Sequence, residues 1–275
     1  MPETLRLPDG HRVFAIGDIH GMERPLSVLL DHVEAMALSG DGMAYTCVLL
    51  GDYIDRGPDS RGVLERLLRL RPGPVRWVFL AGNHEAVFQA FLDRPEANAD
   101  WLRFGGIETL ASYGIMVPPP PLSPARLRRC RDELLAVLPA SHLDFLAGLQ
   151  SCFTIGDYMF VHAGLRPGVA LERQTTEDML WIREDFLSRP TWHGKCVVHG
   201  HTIEPTPSVH PWRIGIDLGA YAGGNLCCLV LSGEGIGFVL GNHPAALQDH
   251  PMIGLADDGR SMGDGDDGHP IAKSR

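Results

Sequence analysis

Residues 12–20 read RVFAIGDIH and residues 46–57 read TCVLLGDYIDRG, so each apolar run ends in Gly-Asp. Runs in which nearly every residue is apolar or β-branched are typical of strands that are covered on both faces. Five runs of this kind predict strands at Arg12–Ile16, Thr46–Leu50, Val75–Leu80, Tyr158–Val161 and Cys196–Val198. Leucines and valines at helical spacing separate the first three runs, which predicts an α/β fold with parallel strands.

The rest of the chain divides into three parts. Residues from about 95 to 150 contain the proline tract Pro118–Pro121 and a leucine pattern typical of helices, which predicts a helical insertion packed beside the sheet. Apolar runs separated by glycine-rich turns then predict antiparallel strands at Ile214–Asp217, Leu226–Leu231 and Ile236–Leu240. We expect one domain over residues 1–245, followed by an Asp- and Gly-rich tail, 246–275, whose composition predicts disorder.

Composition narrows the class of protein. The chain has 24 Lys and Arg against 34 Asp and Glu, a net charge of −10, which argues against general nucleic-acid binding. No apolar run approaches the ~20 residues of a membrane helix, and the first residues lack the pattern of a signal peptide. The six cysteines form no CxxC pair and are interpreted as reduced thiols. We expect a soluble cytoplasmic protein without nucleic-acid or membrane partners, and its oligomeric state is left open.

The polar residues that follow the strands carry the functional signal. Each of the five strands runs into Asp, Asn or His within a few residues of its end; these residues are Asp18, His20, Asp52, Asp55, Asn83, His84, His162, His199 and His201. The carboxyl ends of strands in an α/β sheet form the crevice where ligands bind. One Gly-Asp is often only a turn, and one such His is often a core residue. Five strands with such residues at the same end favour a common functional site over five unrelated turns or core residues.

The composition of this set indicates metal binding. Its members are oxygen and nitrogen ligands without a thiolate, as expected for manganese, iron, zinc or cobalt. They are more numerous than one four-coordinate ion needs, which indicates two ions. Two cations ~3.5–4 Å apart can lower the pKa of a bridging water and hold the attacking and leaving oxygens of a phosphoryl transfer.

Five motifs in this order resemble those of the phosphoprotein phosphatases, within the calcineurin-like metallophosphoesterases: GDIHG at 17–21, GDYIDRG at 51–57, GNHE at 82–85, HAG at 162–164 and GHT at 200–202. The resemblance extends from about Arg12 to Leu240 and is greatest to the small bacterial and phage serine/threonine protein phosphatases. It implies a β-sandwich flanked by helices, in αββα layers. It also implies two divalent metal ions, with Mn²⁺ expected and iron, zinc or cobalt as alternatives.

The resemblance implies a ligand set for each metal. An aspartate and a histidine bind the first ion, an aspartate bridges both, and an amide and two histidines complete the second; in chain order these are Asp18, His20, Asp52, Asn83, His162 and His201. Asn83 is also expected to contact the substrate. His199 would face the same side as His201 if their strand continued. The family pattern favours His201, whereas the residues alone leave the choice open.

The resemblance also implies residues that act on the substrate. His84 resembles a general acid that protonates the departing alkoxide, and Asp55 resembles the carboxylate that orients it and favours its protonated form. Arg56 resembles a phosphate clamp, since a guanidinium matches two phosphate oxygens. We expect a second clamp between HAG and GHT and assign it to Arg183. The alternative for Arg183 is a surface ion pair with a neighbouring acidic residue.

Three further residues are expected near these groups. Glu85 completes GNHE and is expected to support the site without binding metal. Tyr221 and Asn225 are placed to reach the substrate from a loop, with an ordinary turn as the equal alternative.

The implied function is hydrolysis of phosphate monoesters by a metal-bridging hydroxide, with His84 as general acid. Phosphoserine and phosphothreonine in proteins or peptides are the expected substrates, and broad specificity would extend to phosphotyrosine. The enzymatic alternative is symmetrical hydrolysis of diadenosine tetraphosphate, which requires a purine-binding surface. The third hypothesis is an inactive phosphopeptide-binding module. It is disfavoured because every expected ligand and the acid are present.

Overall fold

The computed structural model describes residues 5–119, 121–233 and 235–242. Within these ranges the strands are β1 (His11–Ile16), β2 (Ala44–Leu49), β3 (Val75–Phe79), β4 (Cys152–Ile155), β5 (Tyr158–Val161), β6 (Cys196–His199), β7 (Ser208–Val209), β8 (Arg213–Gly215), β9 (Asp217–Leu218), β10 (Asn225–Ser232) and β11 (Gly235–Leu240). The tail expected at 246–275 lies outside the described residues, as does Pro120 of the proline tract.

Several helices begin at a residue whose side chain caps the helix. The Asp59 side chain accepts a hydrogen bond from the Gly62 N–H (2.8 Å), and Ser123 caps a helix that has proline in its first turn. The α-helices are α1 (Glu23–Ala37), α2 (Ser60–Leu68), α3 (Asn83–Asp93), α4 (Gly106–Ser112), α5 (Pro124–Val137), α6 (Ala140–Ala147), α7 (Thr176–Trp181) and α8 (Glu184–Leu187). None of the described helices is both long and apolar enough to cross a membrane.

The strands form two sheets. In the first, the order is β11-β10-β1-β2-β3, with β1, β2 and β3 parallel and β10 antiparallel to both β1 and β11. In the second, the order is β4-β5-β6-β8-β7, with β5, β6 and β8 parallel and antiparallel strands at both edges. The five strands predicted from apolar runs are all present with small shifts at their ends. Three of them lie in the first sheet as β1, β2 and β3, and two lie in the second sheet as β5 and β6. Within each sheet these predicted strands run parallel to one another.

Alternating side chains of β1 show how the layers are built. Phe14 and Ile16 face a core that includes α1, α2 and α3, whereas Val13 and Ala15 face the second sheet. The other face of the second sheet is covered by α7 and α8 through Met179, Ile182 and Phe186. The layers are therefore helix, sheet, sheet and helix, which confirms the predicted fold class.

Residues 95–150 pack on the helical side of the first sheet. They contain a 3₁₀ helix, Ala99–Phe104, followed by α4, α5 and α6. Leu110, Leu127 and Leu134 from this segment are buried in the same core as the side chains of α1 and β1. Leu135, which belongs to the same sequence pattern, is 44% exposed and lies on the solvent side of α5.

The run Ile214–Asp217 has the predicted antiparallel pairing and one parallel pairing besides. Its first half lies in β8, which pairs antiparallel with β7 and parallel with β6. Its last residue begins β9, which pairs antiparallel with β10 of the first sheet. The run changes sheets because the chain crosses the sandwich between Gly215 and Asp217. The short edge strands β4 and β7 also escaped prediction, since β4 is only partly buried and β7 has two residues.

The turn after β2 touches the turn after β3, backbone against backbone. Gly51 has φ +103°, and a Cβ added there would lie 2.5 Å from the Gly82 nitrogen. Glycine is therefore required at position 51 both by its conformation and by the close approach of a second chain segment.

We expect Gly51→Ala to lower the free energy of unfolding by about 2–5 kcal/mol, because backbone strain and steric overlap each cost about 1–3 kcal/mol. Gly40→Ala is the matched control, since Gly40 has φ +75° but no atom within 4 Å of an added Cβ. The control should lose only the conformational part, about 1–2 kcal/mol. Urea denaturation measures both losses, and equal losses would contradict a role for the contact between the turns.

Candidate metal centre

The side chains that follow the strands of both sheets meet at one edge of the sandwich. Two groups of buried residues have potential ligand atoms within 4.8 Å of one another: His20, Asp52 and His84 in the first group, and Asp52, His162 and His201 in the second. Asp52 belongs to both groups, which is the position of a bridging ligand. The two groups together bring residues from the ends of β1, β2, β3, β5 and β6 into contact.

The backbone at this edge is strained. In the described ranges, five residues other than glycine have positive φ, and all belong to the motifs: His20 (44°), Asp52 (51°), Asp55 (72°), Arg56 (67°) and His201 (62°). Non-glycine residues adopt this region at an energetic cost of about 1–3 kcal/mol each and cluster at functional sites. The observed strain therefore points to a site whose side-chain directions are fixed by the fold.

Hydrogen bonds fix the ring orientation of two histidines. His20 Nδ1 lies 2.9 Å from the Ile54 carbonyl oxygen, and His162 Nδ1 lies 2.9 Å from the Leu50 carbonyl oxygen. A ring nitrogen that faces a carbonyl oxygen carries the proton, so the Nε2 atoms present lone pairs. These Nε2 atoms lie 3.4 Å and 3.5 Å from carboxylate oxygens of Asp52. Two neutral imidazoles therefore direct ligand atoms toward the shared carboxylate.

Several acceptors face one another around the second group. His162 Nε2 lies 2.9 Å from Asn83 Oδ1, and with the proton on Nδ1 both atoms present lone pairs. His201 Nε2 is buried and has no hydrogen-bond partner among the described residues. Buried lone pairs that meet in this way repel each other unless a cation lies between them. The donor set at the second group fits a divalent metal ion.

Asp18 adds a carboxyl group beside the two ligand groups. Its oxygens accept hydrogen bonds from the His201 backbone N–H at 3.1 Å and 3.0 Å. A second carboxyl group faces it, that of Asp217, a buried residue of β9 that the sequence did not indicate. Burial and the charges of Asp217 and Asp52 raise the pKa of Asp18 well above its ordinary value. A bound cation would relieve this crowding, which fits the predicted role of Asp18 at the first metal.

The histidines around Asp52 differ in protonation. Burial lowers the pKa of His20 to about 3 and that of His201 to about 2, and it lowers the pKa of His162 as well. Burial also disfavours the charged form of His84, but Asp52 and Asp55 outweigh it and raise the pKa of His84. Three imidazoles are thus neutral and suited to bind metal. The fourth, His84, lies in the first group but is suited to carry a proton, so Asp18, His20 and Asp52 remain the predicted ligands on that side.

His84 and Asp55 form a buried pair. His84 Nδ1 donates to Asp55 Oδ2 at 2.8 Å, and His84 Nε2 faces Asp52 Oδ2 at 4.0 Å. His84 lies in the first turn of α3, and its backbone N–H donates to Asp52 Oδ1 (3.1 Å). The imidazole is therefore oriented by a carboxylate on one side while its other nitrogen faces the metal-binding side chains.

Two arginines flank the centre. Arg56 Nη1 lies 3.1 Å from His20 Nε2, and its guanidinium lies 4.8 Å from the ring centre of Tyr221. Arg183 Nη1 donates to the His201 carbonyl oxygen at 3.0 Å and to Thr202 Oγ1 at 3.3 Å. In the described part of the chain these are the partners of the Arg183 side chain, rather than the neighbouring acidic residues. Both predicted clamps therefore lie beside the ligand groups.

The remaining candidate residues differ in how they contact the ligand groups. His199 Nδ1 lies 3.1 Å from the Gly200 carbonyl oxygen and its Nε2 lies 3.3 Å from Arg213 Nη1, so both nitrogens have partners away from Asp52. This geometry favours His201 over His199 as the ligand. Glu85 accepts from the backbone N–H groups of Asp52 (2.9 Å) and Tyr53 (2.8 Å), which is a supporting position. Asn225 lies in β10, paired with Leu218.

Sequence reasoning missed two further residues at the centre. Trp101 Nε1 and Thr109 Oγ1 both donate to the Asp55 carboxylate, at 2.9 Å and 2.6 Å. They lie in the segment WLRFGGIET, residues 101–109, which contains no histidine or cysteine and follows no predicted strand. The Gly-Gly pair at 105–106 is the one local signal for a close backbone approach.

Comparison with known proteins agrees with this fold and centre. Residues 11–213 match the calcineurin-like phosphoesterase family, and the chain belongs to that family. A symmetrical bis(5'-nucleosyl)-tetraphosphatase of Nitrosospira multiformis is 27% identical over 184 residues, 67% of this chain and 54% of that protein. Shewanella-like protein phosphatase 2 of Arabidopsis thaliana is 29% identical over 210 residues, 64% of this chain and 53% of that protein. The chain thus spans about half the length of the curated relatives it matches.

A solved structure shares the fold over most of both chains. The crystal structure of a candidate diadenosine tetraphosphatase has a TM-score of 0.58 and 24% identity, and the match covers 86% of this chain and 96% of that chain. At this level of identity the likeness concerns the fold. The family and the buried donor set together define a metallophosphoesterase.

We expect Asp52→Asn to abolish binding of the metal pair, because the shared carboxylate supplies negative charge to both ligand groups and an amide does not. Asp59→Asn is the matched control: it makes the same change seven positions along the same segment, at a helix cap where asparagine serves as well as aspartate. Metal content per chain and phosphoesterase activity are measured on both variants. A full metal complement in Asp52→Asn would contradict the bridging position.

Proposed function

We propose that this protein is a two-metal phosphomonoesterase of the phosphoprotein phosphatase type, acting on phosphoserine and phosphothreonine. The observation that carries the proposal is the buried Asp52 carboxylate, which is shared by two groups of ligand atoms and lies beside His84, whose pKa is raised by Asp52 and Asp55. We propose Mn²⁺ as the metal, with iron, zinc or cobalt as alternatives that the oxygen and nitrogen ligands also fit.

The residues of the chain have separate parts in this reaction. Metal ions held by these ligands would supply an acidified water, whose oxygen would replace the leaving oxygen at phosphorus, and would neutralise charge on the phosphate. Arg56, beside His20, and Arg183, beside His201, bind phosphate oxygens and orient the ester, which a guanidinium does through two parallel hydrogen bonds. As the P–O bond breaks, its electron pair stays on the leaving oxygen, and His84 Nε2 gives that oxygen a proton. Asp55 stabilises the imidazolium before transfer.

The surface around the centre supports a phosphorylated chain as substrate. One groove, of about 610 Å³, is lined by Arg56, Tyr221 and Phe104. Phe104 is 53% exposed. A second, of about 420 Å³, begins at Arg183 and is lined by Trp181, which is 39% exposed. The grooves are lined by different arginines, so a phosphopeptide bound at the centre has two separate surfaces available for its flanking side chains. The similarity to a plant protein phosphatase agrees with this substrate class.

The similarity to a symmetrical nucleosyl-tetraphosphatase favours one second candidate, hydrolysis of diadenosine tetraphosphate. In that case the exposed aromatic residues of the grooves would stack on purines. Both substrates require the same metal centre, so the centre alone does not separate them.

A substrate comparison distinguishes the two candidates. Manganese-loaded protein is incubated with a phosphoserine or phosphothreonine peptide and, separately, with diadenosine tetraphosphate, and kcat/KM is measured for each. We expect the larger kcat/KM on the peptide. A larger value on diadenosine tetraphosphate would replace the first candidate with the second, and binding of phosphopeptide without any hydrolysis would indicate an inactive binding module.

We expect His84→Asn to leave the metal content unchanged while lowering kcat by about 10²–10⁴, the contribution typical of general acid catalysis. The asparagine retains a polar side chain but has no acidic proton to donate to the leaving oxygen. Metal analysis and steady-state kinetics on the same preparation measure the two quantities. Metal loss equal to that of Asp52→Asn would contradict the role of His84 as the acid.

A further inference from the structure

The Asp55 carboxylate is held by more than its histidine partner. It is fully buried, and its Oδ2 accepts from both His84 Nδ1 (2.8 Å) and Trp101 Nε1 (2.9 Å). Its Oδ1 accepts from Thr109 Oγ1 (2.6 Å). A buried carboxylate without donors is strongly disfavoured, and hydrogen bonds to a charged group are stronger than those between neutral groups. Among the described residues, Trp101 and Thr109 therefore supply two of the three side-chain donors to the Asp55 carboxylate.

Packing fixes the direction of the Trp101 N–H. The indole is fully buried and contacts Phe88 and Phe91 at ring-centre distances of 5.4 Å and 4.6 Å. Both phenylalanines belong to α3, the helix whose first turn carries His84. On another side the backbone of Gly106 lies so close that an added Cβ would overlap the indole ring. The ring cannot turn away from Asp55 without displacing α3 or the start of α4.

Thr109 is fixed from two sides as well. It lies on α4, is fully buried, and its Oγ1 accepts from the Asp55 backbone N–H (2.9 Å) while donating to Oδ1 of the same residue. The Ser60 hydroxyl lies 3.0 Å from it, and the Gly105 carbonyl oxygen accepts from the Arg56 N–H (3.2 Å). The segment Trp101–Thr109 thus forms hydrogen bonds with both the backbone and the side chain of Asp55, where φ is +72°.

We propose that Trp101 and Thr109 are positioning residues for the general acid: their hydrogen bonds hold the Asp55 carboxylate so that His84 Nε2 points its proton at the leaving oxygen. This inference rests on the proposed function. It assigns the 101–109 segment, which lies outside the five motifs, a part in leaving-group protonation. A misplacement of a reacting group by about 1 Å costs up to about 10²-fold in rate, so a loosened Asp55 has a measurable effect.

The test uses the dependence of rate on the leaving group. Phenyl phosphate has a poor leaving group that needs the proton, whereas p-nitrophenyl phosphate has a good one that needs it far less. In Trp101→Phe and Thr109→Val, we expect kcat to fall about 10- to 100-fold on phenyl phosphate and less than about threefold on p-nitrophenyl phosphate. Thr109→Ser keeps the hydroxyl and should retain the rate on both. Metal content should stay at the level of the unaltered protein.

Matched controls separate positioning from general damage. Trp77→Phe changes a partly buried indole that packs on the same core, and Thr46→Val changes a buried threonine of β2; neither residue is a hydrogen-bond partner of Asp55. Both controls should affect the two substrates equally. Equal losses on both substrates in Trp101→Phe and Thr109→Val, or loss of metal in them, would overturn the proposal. So would additive effects of Trp101→Phe and His84→Asn on phenyl phosphate, since residues that act through one another are not additive.

A measurement that needs no substrate gives the second readout. In protein loaded with diamagnetic Zn²⁺, the His84 Nδ1 proton bonded to Asp55 should give a downfield proton resonance, assigned by its loss in His84→Asn. Trp101→Phe and Thr109→Val should shift or broaden this resonance, and Thr109→Ser and the two controls should not. An unchanged resonance in both variants would refute the inference. If the unaltered protein hydrolyses no phosphoester, the proposed function fails, and the resonance alone decides the positioning role.

Discussion

The centre of this protein depends on placing the Asp52 carboxylate, which is 2% exposed, where water cannot stabilise its charge. Three imidazoles with lowered pKa surround it without adding positive charge, so the compensation must come from cations and from His84. The position of Asp52 is fixed by its backbone: its carbonyl oxygen accepts from Ile19 N (3.1 Å) and His20 N (2.7 Å). One residue thus ties the first motif to the second and makes a cation-binding centre the stable outcome.

Protonation divides the histidines by task. A metal ligand must offer a lone pair near neutral pH, and burial provides this for His20, His162 and His201 by disfavouring their charged forms. A general acid must hold a proton, and two nearby carboxylates provide this for His84. The four rings are all buried, but their pKa values shift in opposite directions because the rings face different charges. The chain has a net charge of −10, so the local guanidinium groups of Arg56 and Arg183 must attract the anionic ester.

The sequence predicted the parts of the centre that depend on strand ends. Parallel strands bring their carboxyl ends to one edge, so Asp52, Asn83 and His162 could be placed together without any structure. Residues whose position depends on how the sheets and helices pack were not predictable in this way. Asp217 reaches Asp18 only because its run leaves β8 and joins the other sheet, and Trp101 reaches Asp55 only because α3 and α4 enclose it. Such contacts join distant segments and leave no periodic signal in the chain.

The second ligand group draws on both sheets, since Asp52 and Asn83 follow β2 and β3 whereas His162 and His201 follow β5 and β6. A bound ion would therefore connect the two sheets and oppose movement of one sheet relative to the other. By linkage, a ligand present at one hundred times its dissociation constant adds about 2.7 kcal/mol to stability when it binds only the folded state. The resistance of this protein to heat would then rise and fall with the free concentration of the divalent ion, and chelation would loosen the whole molecule as well as halt its chemistry.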